Sequence, residues 1–149
     1  MITMKKEYPE TKSFDDIWPI YQKGGLLHLS TLDGNQPRVR IMSFTPLDKK
    51  IWVVTRSGDD KIQQLRKNPN IEFTYSYQGE QNIGCLRASG TAIIVDDPAI
   101  RARVTKAIPW FNGYWESSED PNFTLIRLDI SKILFDPANE RTKYTVIVK

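Results

Sequence analysis

The chain has 149 residues, 40% hydrophobic and 26% charged, which suits a single packed domain over residues 1–149 and excludes a disordered chain. Its 21 basic and 18 acidic side chains leave a formal charge of +3. That excess is too small and too scattered to track a nucleic-acid backbone, so no nucleic acid is expected, although a local preference for small anions is. No apolar run reaches the roughly 18–20 residues that cross a bilayer, and the N-terminal MITMKKEYPETK has no apolar segment behind its lysines, so neither a membrane span nor a secretory signal is expected. Cys85 is the only cysteine, which excludes an internal disulfide and any multi-cysteine metal site and points to a cytoplasmic setting.

In chain order, Ser13 to Tyr21 reads as a short helix. Ser13 and Asp16 have the spacing of a capping box, Phe14, Ile17, Trp18 and Tyr21 recur at helical spacing, and Gly24-Gly25 ends the element. Strand patterns follow at Gly25–Leu32 and Arg38–Phe44, joined by the hairpin signal Asp33-Gly34-Asn35. A turn over Pro46 to Lys50 leads to a strand at Ile51–Thr55. Asp59 to Lys67 is helical, with Ile62 and Leu65 on one face and Pro69 closing it. Strands are expected at Ile71–Tyr77 and from about Gly84 to Val95. Asp97-Pro98 supplies an N-cap and an N1 proline for a helix to about Ala107. A loop over Pro109 to Asn122 precedes strands at Phe123–Asp129, extended at Ile133–Phe135, and at Tyr144–Val148. Six or seven strands joined mostly by tight turns, with three short helices, predict a mainly β fold. A parallel sheet would need a helix after nearly every strand, so the expectation is an antiparallel barrel with helices on its rim.

The chemically informative stretch is Gln36 to Asn70. Arg38 and Arg40 share a face of their strand because side chains alternate with period two. Farther on, Val54-Thr55-Arg56-Ser57-Gly58-Asp59-Asp60-Lys61 runs from a strand through a polar loop into a helix. Such a loop offers backbone N–H groups, the Thr55 and Ser57 hydroxyls and the positive end of a helix dipole, with Lys61 as a point charge and an arginine able to grip two phosphate oxygens. The competing reading is equally physical: Asp59 and Asp60 as ordinary first-turn acids and the cations as solvated surface. The loop is neither a Walker A loop nor a dinucleotide fingerprint.

The run GNQPRVRIMSF…IWVVTRSGDDKIQQLRKNPNIEFTY resembles the flavin mononucleotide (FMN)-binding split barrel of the pyridoxamine 5′-phosphate oxidase-like superfamily. Pro37 and Arg40 match its P-x-x-R motif, Thr55, Ser57 and Lys61 its phosphate loop, and Asn68-Pro69 its helix end. LRASGTAIIVDDP and WFNG…EDPNFTLIRLDI are similar to the general stress protein branch. The resemblance spans roughly residues 14 to 136. It implies a six- to seven-stranded antiparallel split barrel of Greek-key type, working as a homodimer with flavin sites shared between chains. By position, Arg40 and Lys61 would hold the phosphate, assisted by Thr55 and Ser57. The strand Arg40, Ile41, Met42, Ser43 would run beside the ribityl chain and ring, and Val54 would pack nearby. Arg56 and Asp60 fall in the same loop without a need to point inward, and Cys85 falls where some relatives carry a polar group against the ring.

In the loop Trp110-Phe111-Asn112-Gly113-Tyr114-Trp115, Trp110 and Phe111 read either as a lid stacked on a flat electron-poor ring, which aromatic faces suit, or as packing for an interface or barrel end. His28, the single histidine, has no acidic or cysteine companion nearby and reads as structural. The resemblance to true pyridoxamine phosphate oxidases fails at the C-terminus. ERTKYTVIVK carries neither their R-x-H substrate motif nor their flavin-contacting tryptophan, so vitamin B6 oxidation is not expected. What the resemblance implies is an FMN-dependent oxidoreductase acting with NAD(P)H or a small molecule. The alternatives are a flavin-binding or stress-response module without turnover, and a barrel carrying haem or a deazaflavin instead.

Overall fold

The structure is a computed structural model and describes residues 7–148. Part of the N-terminal stretch on which no secretory signal is expected lies outside the described residues. Short strands and three short helices follow one another as β1 (Glu10–Lys12), α1 (Phe14–Tyr21), β2 (Gly25–Asp33), β3 (Gln36–Leu47), β4 (Lys50–Arg56), α2 (Asp60–Lys67), β5 (Asn70–Gln78), β6 (Ile83–Val95), α3 (Pro98–Lys106), β7 (Phe123–Asp136) and β8 (Tyr144–Ile147). A single 3-10 turn, Phe111–Gly113, interrupts the loop before β7.

Six of the strands close on themselves in the order β2-β3-β4-β7-β6-β5, every pairing antiparallel. The fold is therefore mainly β, a closed antiparallel barrel, and the order β4-β7-β6-β5 within it is a Greek key. Two further strands lie outside the ring: β8 pairs antiparallel with the end of β7, and β1 pairs parallel with β8. The ring has the six strands expected of the barrel, and the described strands number eight in all because β8 and β1 lie outside it, β1 being three residues long with no apolar alternation. Only its partner makes it a strand. The expected halves of the late strand are one continuous β7, held along its length by β6.

The turns follow from local chemistry. Ser13 and Asp16 form the capping box that begins α1. Gly34 takes a positive φ of 61° in the two-residue β2–β3 connection, the position at which a II′-type hairpin requires glycine. The β3–β4 connection is tighter than the sequence suggests. Asp48 and Lys49 both have φ 57°, the backbone of a I′ hairpin, so pairing runs through Pro46 and Leu47, which the sequence assigns to a turn.

The core divides in two. Inside the barrel, Tyr21 from α1 meets Phe44, Phe73 and Tyr75, and Leu27, Leu29, Leu86 and Ile133 fill the space around them. Outside, between α3 and the β4/β7 face, Phe111, Trp115, Phe123, Val104 and Leu125 form a second cluster with Trp52 and Val54. The second cluster anchors the aromatic loop beside β4.

At the β6–β7 pairing the register shifts between Ser89 and Gly90, and a Cβ on Gly90 would lie 1.8 Å from the Asp129 carbonyl oxygen. That oxygen is fixed in a paired strand and cannot withdraw. Gly90→Ala is expected to destabilise the protein by about 3 kcal/mol, the upper range of overpacking costs, read as a lowered midpoint in urea.

Candidate functional site

β3 and β4 leave their hairpin paired, but only at Leu47↔Lys50, Pro46↔Ile51 and Thr45↔Trp52. Continuing that register would set Ser43 opposite Val54 and Met42 opposite Thr55. Among the described residues neither pair forms, because the strands diverge. β3 keeps β2 on its other side and β4 keeps β7, so two strand edges face each other with their outward backbone groups unshared. Between them lies a groove of about 320 Å³. Its lining brings together Arg40, Ile41, Met42 and Ser43 from β3, Val54 and Thr55 from β4, and Lys61 from α2, with Trp110 on the rim. Larger depressions of about 470 Å³ at the β6 bulge and 500 Å³ beside the Gly34 hairpin combine no two cations with facing strand edges.

Lys61 projects from the first turn of α2, and its side chain keeps only 12% exposure. Its Nζ donates to Thr55 Oγ1 at 2.8 Å and to Asp59 Oδ2 at 3.0 Å, while the Thr55 hydroxyl donates to the same carboxylate at 2.5 Å. The Thr55 hydroxyl, with Lys61 beside it, holds the Asp59 carboxyl below the usual carboxylate range, against the upward pull of burial. Arg40 is fixed from the other side. Its guanidinium donates to Thr31 Oγ1 at 2.8 Å, to the Leu29 and Arg38 carbonyls at 3.3 Å, and to Gln64 Oε1 at 3.2 Å. Burial lowers its pKa and Asp60 opposes that, yet a guanidinium stays charged throughout the working range. Lys61 and Gln64 are three apart on α2, so one helix face holds one cation and orients the other.

Two expected members of the site point elsewhere. The Ser57 hydroxyl donates to the Pro121 carbonyl at 2.8 Å and lies 2.8 Å from Thr124 Oγ1, pinning the loop before β7 instead of facing the groove. Phe111 is 2% exposed, stacked on Trp115 at 5.2 Å and edge-on to Phe123 at 4.9 Å. It packs the outer core and is not a lid. Trp110, one residue earlier, is exposed and meets Tyr114 edge-on at 5.6 Å over the groove. His28 and Cys85 do not line the groove. His28 is on the exposed face of β2, and burial with Asp136 nearby raises the Cys85 thiol pKa.

The structure adds residues that the sequence does not single out for the site. Arg56, Asp59, Tyr114 and Trp115 line the groove, and Thr31 and Gln64 hold Arg40. Arg101 of α3 donates to the Ser118, Asp120 and Phe123 carbonyls and sits 4.3 Å over the Phe123 ring, fixing the loop that carries Trp115. A tyrosine four residues after Trp110 could have flagged Tyr114 as its rim partner. Nothing local announces Thr31 or Arg101. Chemically, the groove offers one nearly buried cation, the guanidinium groups of Arg40 and Arg56, the Thr55 hydroxyl, the Asp59 carboxylate, two strand edges and an aromatic rim. That set suits an elongated ligand, anionic at one end and flat at the other.

The family model described as pyridoxamine 5′-phosphate oxidase matches residues 16–135. No curated protein matches the chain. Among solved structures it is similar to the general stress protein 26 from Bacillus anthracis str. Sterne, at 24% identity and TM-score 0.68 over 82% of this chain and 92% of that one. It is similar to the FAD binding protein from Mycobacterium smegmatis, at 17% identity and TM-score 0.64 over 82% and 93%. It is also similar to the heme binding protein from Mycobacterium smegmatis, at 12% identity and TM-score 0.75 over 97% of this chain and 60% of that one. At these identities the likeness is one of fold. No helix of the described residues is long and apolar enough to cross a membrane.

Because the native Asp59 carboxyl releases its proton more readily than an unfolded one, the stability it adds is complete above the unfolded pKa of about 3.9. It vanishes as pH falls through the lower native value. The stability gap between wild type and Asp59→Asn in urea melts is expected to be flat above about pH 5 and to shrink toward about pH 2. A gap that ignores pH would show that the carboxylate gains nothing from Thr55 and Lys61.

Proposed function

The chain belongs to the pyridoxamine 5′-phosphate oxidase family, and from that premise we propose that the groove between β3 and β4 binds FMN and that the protein is a flavin-dependent oxidoreductase. The observation that carries the reading is the nearly buried Lys61 ammonium in the same groove as Arg40, between two facing strand edges. Lys61 already has the Asp59 carboxylate as its anionic partner, so a phosphomonoester would compete with Asp59 for Lys61 and the Thr55 hydroxyl, with Arg40 in the same groove as a second cation. The unpaired edges at Arg40–Ser43 and Val54–Thr55 supply donors and acceptors along the ribityl chain and ring. Trp110 and Tyr114 shield the flat end from water. When bound, flavin supplies reversible two-electron chemistry, and the protein's part is to bind, orient and exclude solvent. The solved relatives named for FAD and heme make the ligand's identity the point to test. Arg40 and Lys61 lining one groove favour a phosphate-bearing flavin, and His28, the residue a haem would want as axial ligand, lies outside it.

The partner is a second copy of the chain. The pairs Ser30↔Val39, His28↔Ile41 and Leu26↔Ser43 share the outer face of the β2–β3 hairpin. There Val39 is 70% and Ile41 60% exposed, beside the free edge of β3. An apolar face and an unpaired edge side by side are costly in water, and Ile41 also lines the groove, so a protomer covering this face would complete the site.

Wild-type protein is expected to take up FMN with the visible bands of a bound flavin. Arg40→Ala and Lys61→Ala should each weaken FMN binding by about 1.5–3 kcal/mol, the range for charge-assisted hydrogen bonds. Calorimetry measures this, and unchanged affinity in both variants would move the phosphate elsewhere. Anaerobic titration with NADH and NADPH then decides turnover: bleaching of the bound flavin marks the oxidoreductase, and a spectrum indifferent to both marks a binding module without turnover. Light scattering is expected to give a dimer, and Val39→Asp, outside the groove, a monomer with weakened FMN affinity. A Val39→Asp monomer that binds FMN as tightly as wild type would remove the shared site.

A further inference from the structure

Asp59 is the N-cap residue of α2, with the extended backbone (φ −68°, ψ 144°) that a capping side chain uses, yet it makes no side-chain cap. The caps of the other two helices are made, by Ser13 on α1 and Asp97 on α3. The Asp59 carboxylate is turned away from the helix it could cap and lies on Lys61 Nζ and the Thr55 hydroxyl, the two groups at the anionic end of the groove. Its side chain is 40% exposed, so it has room to move. One oxygen, Oδ2, accepts both bonds, as one phosphate oxygen would.

We infer that Asp59 is a resident stand-in for the ligand's phosphate, and that it sets how strongly the groove prefers a phosphate-bearing flavin over a neutral one. The inference rests on the flavin reading above. A dianion cannot share Thr55 and Lys61 with a fixed carboxylate at hydrogen-bond distance, since like charges so close repel strongly. Entry of the phosphate therefore requires Asp59 to leave. Its second position is at hand: rotation about its side-chain bonds carries the carboxylate toward the first-turn N–H groups of α2, of which that of Ile62 already donates to the Asp59 carbonyl at 3.0 Å, and there aspartate is among the favoured caps and faces the positive end of the helix. The displaced group loses one set of partners and gains another. The exchange costs affinity for phosphate and costs a neutral flavin nothing, because riboflavin leaves Asp59 where it is. The groove thus stays electrically closed in the absence of ligand, and its selectivity for the phosphorylated cofactor is held below what Lys61 and Arg40 alone would give.

The test is equilibrium binding of FMN and of riboflavin to full-length wild type, Asp59→Asn, Asp59→Ser and Asp60→Asn at pH 7.5 and fixed salt. Asparagine and serine both cap helices, so at least one of the first two variants should fold with the circular dichroism of wild type. Expected is a gain of tenfold or more in FMN affinity for the folded Asp59 variant, with riboflavin affinity within threefold of wild type. Asp60→Asn, which removes the same charge from the exposed neighbouring position, should stay within threefold for both ligands. In a crystal of wild type with FMN, the Asp59 carboxylate should be found on the α2 N-terminus. The inference is overturned if FMN affinity is unchanged or lower in the Asp59 variants, if both flavins gain equally, if Asp60→Asn matches Asp59→Asn, or if Asp59 remains on Lys61 beside the bound phosphate. Failure of wild type and all variants to bind either flavin would overturn the flavin reading itself, and this inference with it.

Discussion

Every backbone N–H and C=O in a barrel needs a partner, and β3 and β4 depart from that rule where they part after three residue pairs. The remaining ring closes the barrel around the split, so neither strand can swing over to repair the pairing. β3 is held by β2 and β4 by β7. The polar edges left facing each other must be served by something else. Arg40 serves one of these groups, the Arg38 carbonyl of β3, while its guanidinium also reaches the Leu29 carbonyl of β2, Thr31 and Gln64. The rest of the gap is the groove itself, and its lining follows from which residues happen to border the parting strands.

Charge is distributed along that gap by the helix that follows β4. The short turn of residues 57–59 leads from β4 into α2, whose first turn delivers Lys61 into a nearly enclosed position. An ammonium there cannot remain without a counter-charge. Asp59 meets that need within the chain, which makes the anionic end self-consistent as it stands and also fixes where an incoming anion must compete. Arg40, by contrast, is held by neutral acceptors, and among the described residues no acidic group bonds it directly, Asp60 acting only at a distance.

The other end is shaped by aromatic packing. Phe111, Trp115 and Phe123 form a compact cluster, each pair adding about 0.5–1.5 kcal/mol beyond its buried area, and the 3-10 turn at Phe111–Gly113 sends Phe111 inward. The same turn leaves Trp110 and Tyr114 on the outside, against each other. Arg101 ties down the chain beyond them, so the rim is positioned by the outer core and not by a free loop.

Much was legible before folding. The capping box of α1, the Gly34 hairpin, the Asp97-Pro98 start of α3 and the alternation of the long strands are local patterns, and local patterns determine local structure. So is the order of Arg40, Thr55 and Lys61 along two successive strands and the helix after them, which the sequence places in one neighbourhood. Tertiary structure alone decided the rest, because it depends on groups distant in sequence meeting in space. β1 exists only because β8 lies beside it. The Ser57 hydroxyl is spent on Pro121 and Thr124, more than sixty residues away. Phe111 and Trp110 are indistinguishable in the sequence and opposite in fate. The split between β3 and β4 leaves no mark in either strand, since each reads as a good strand alone, and only the closure of the ring determines that they do not meet.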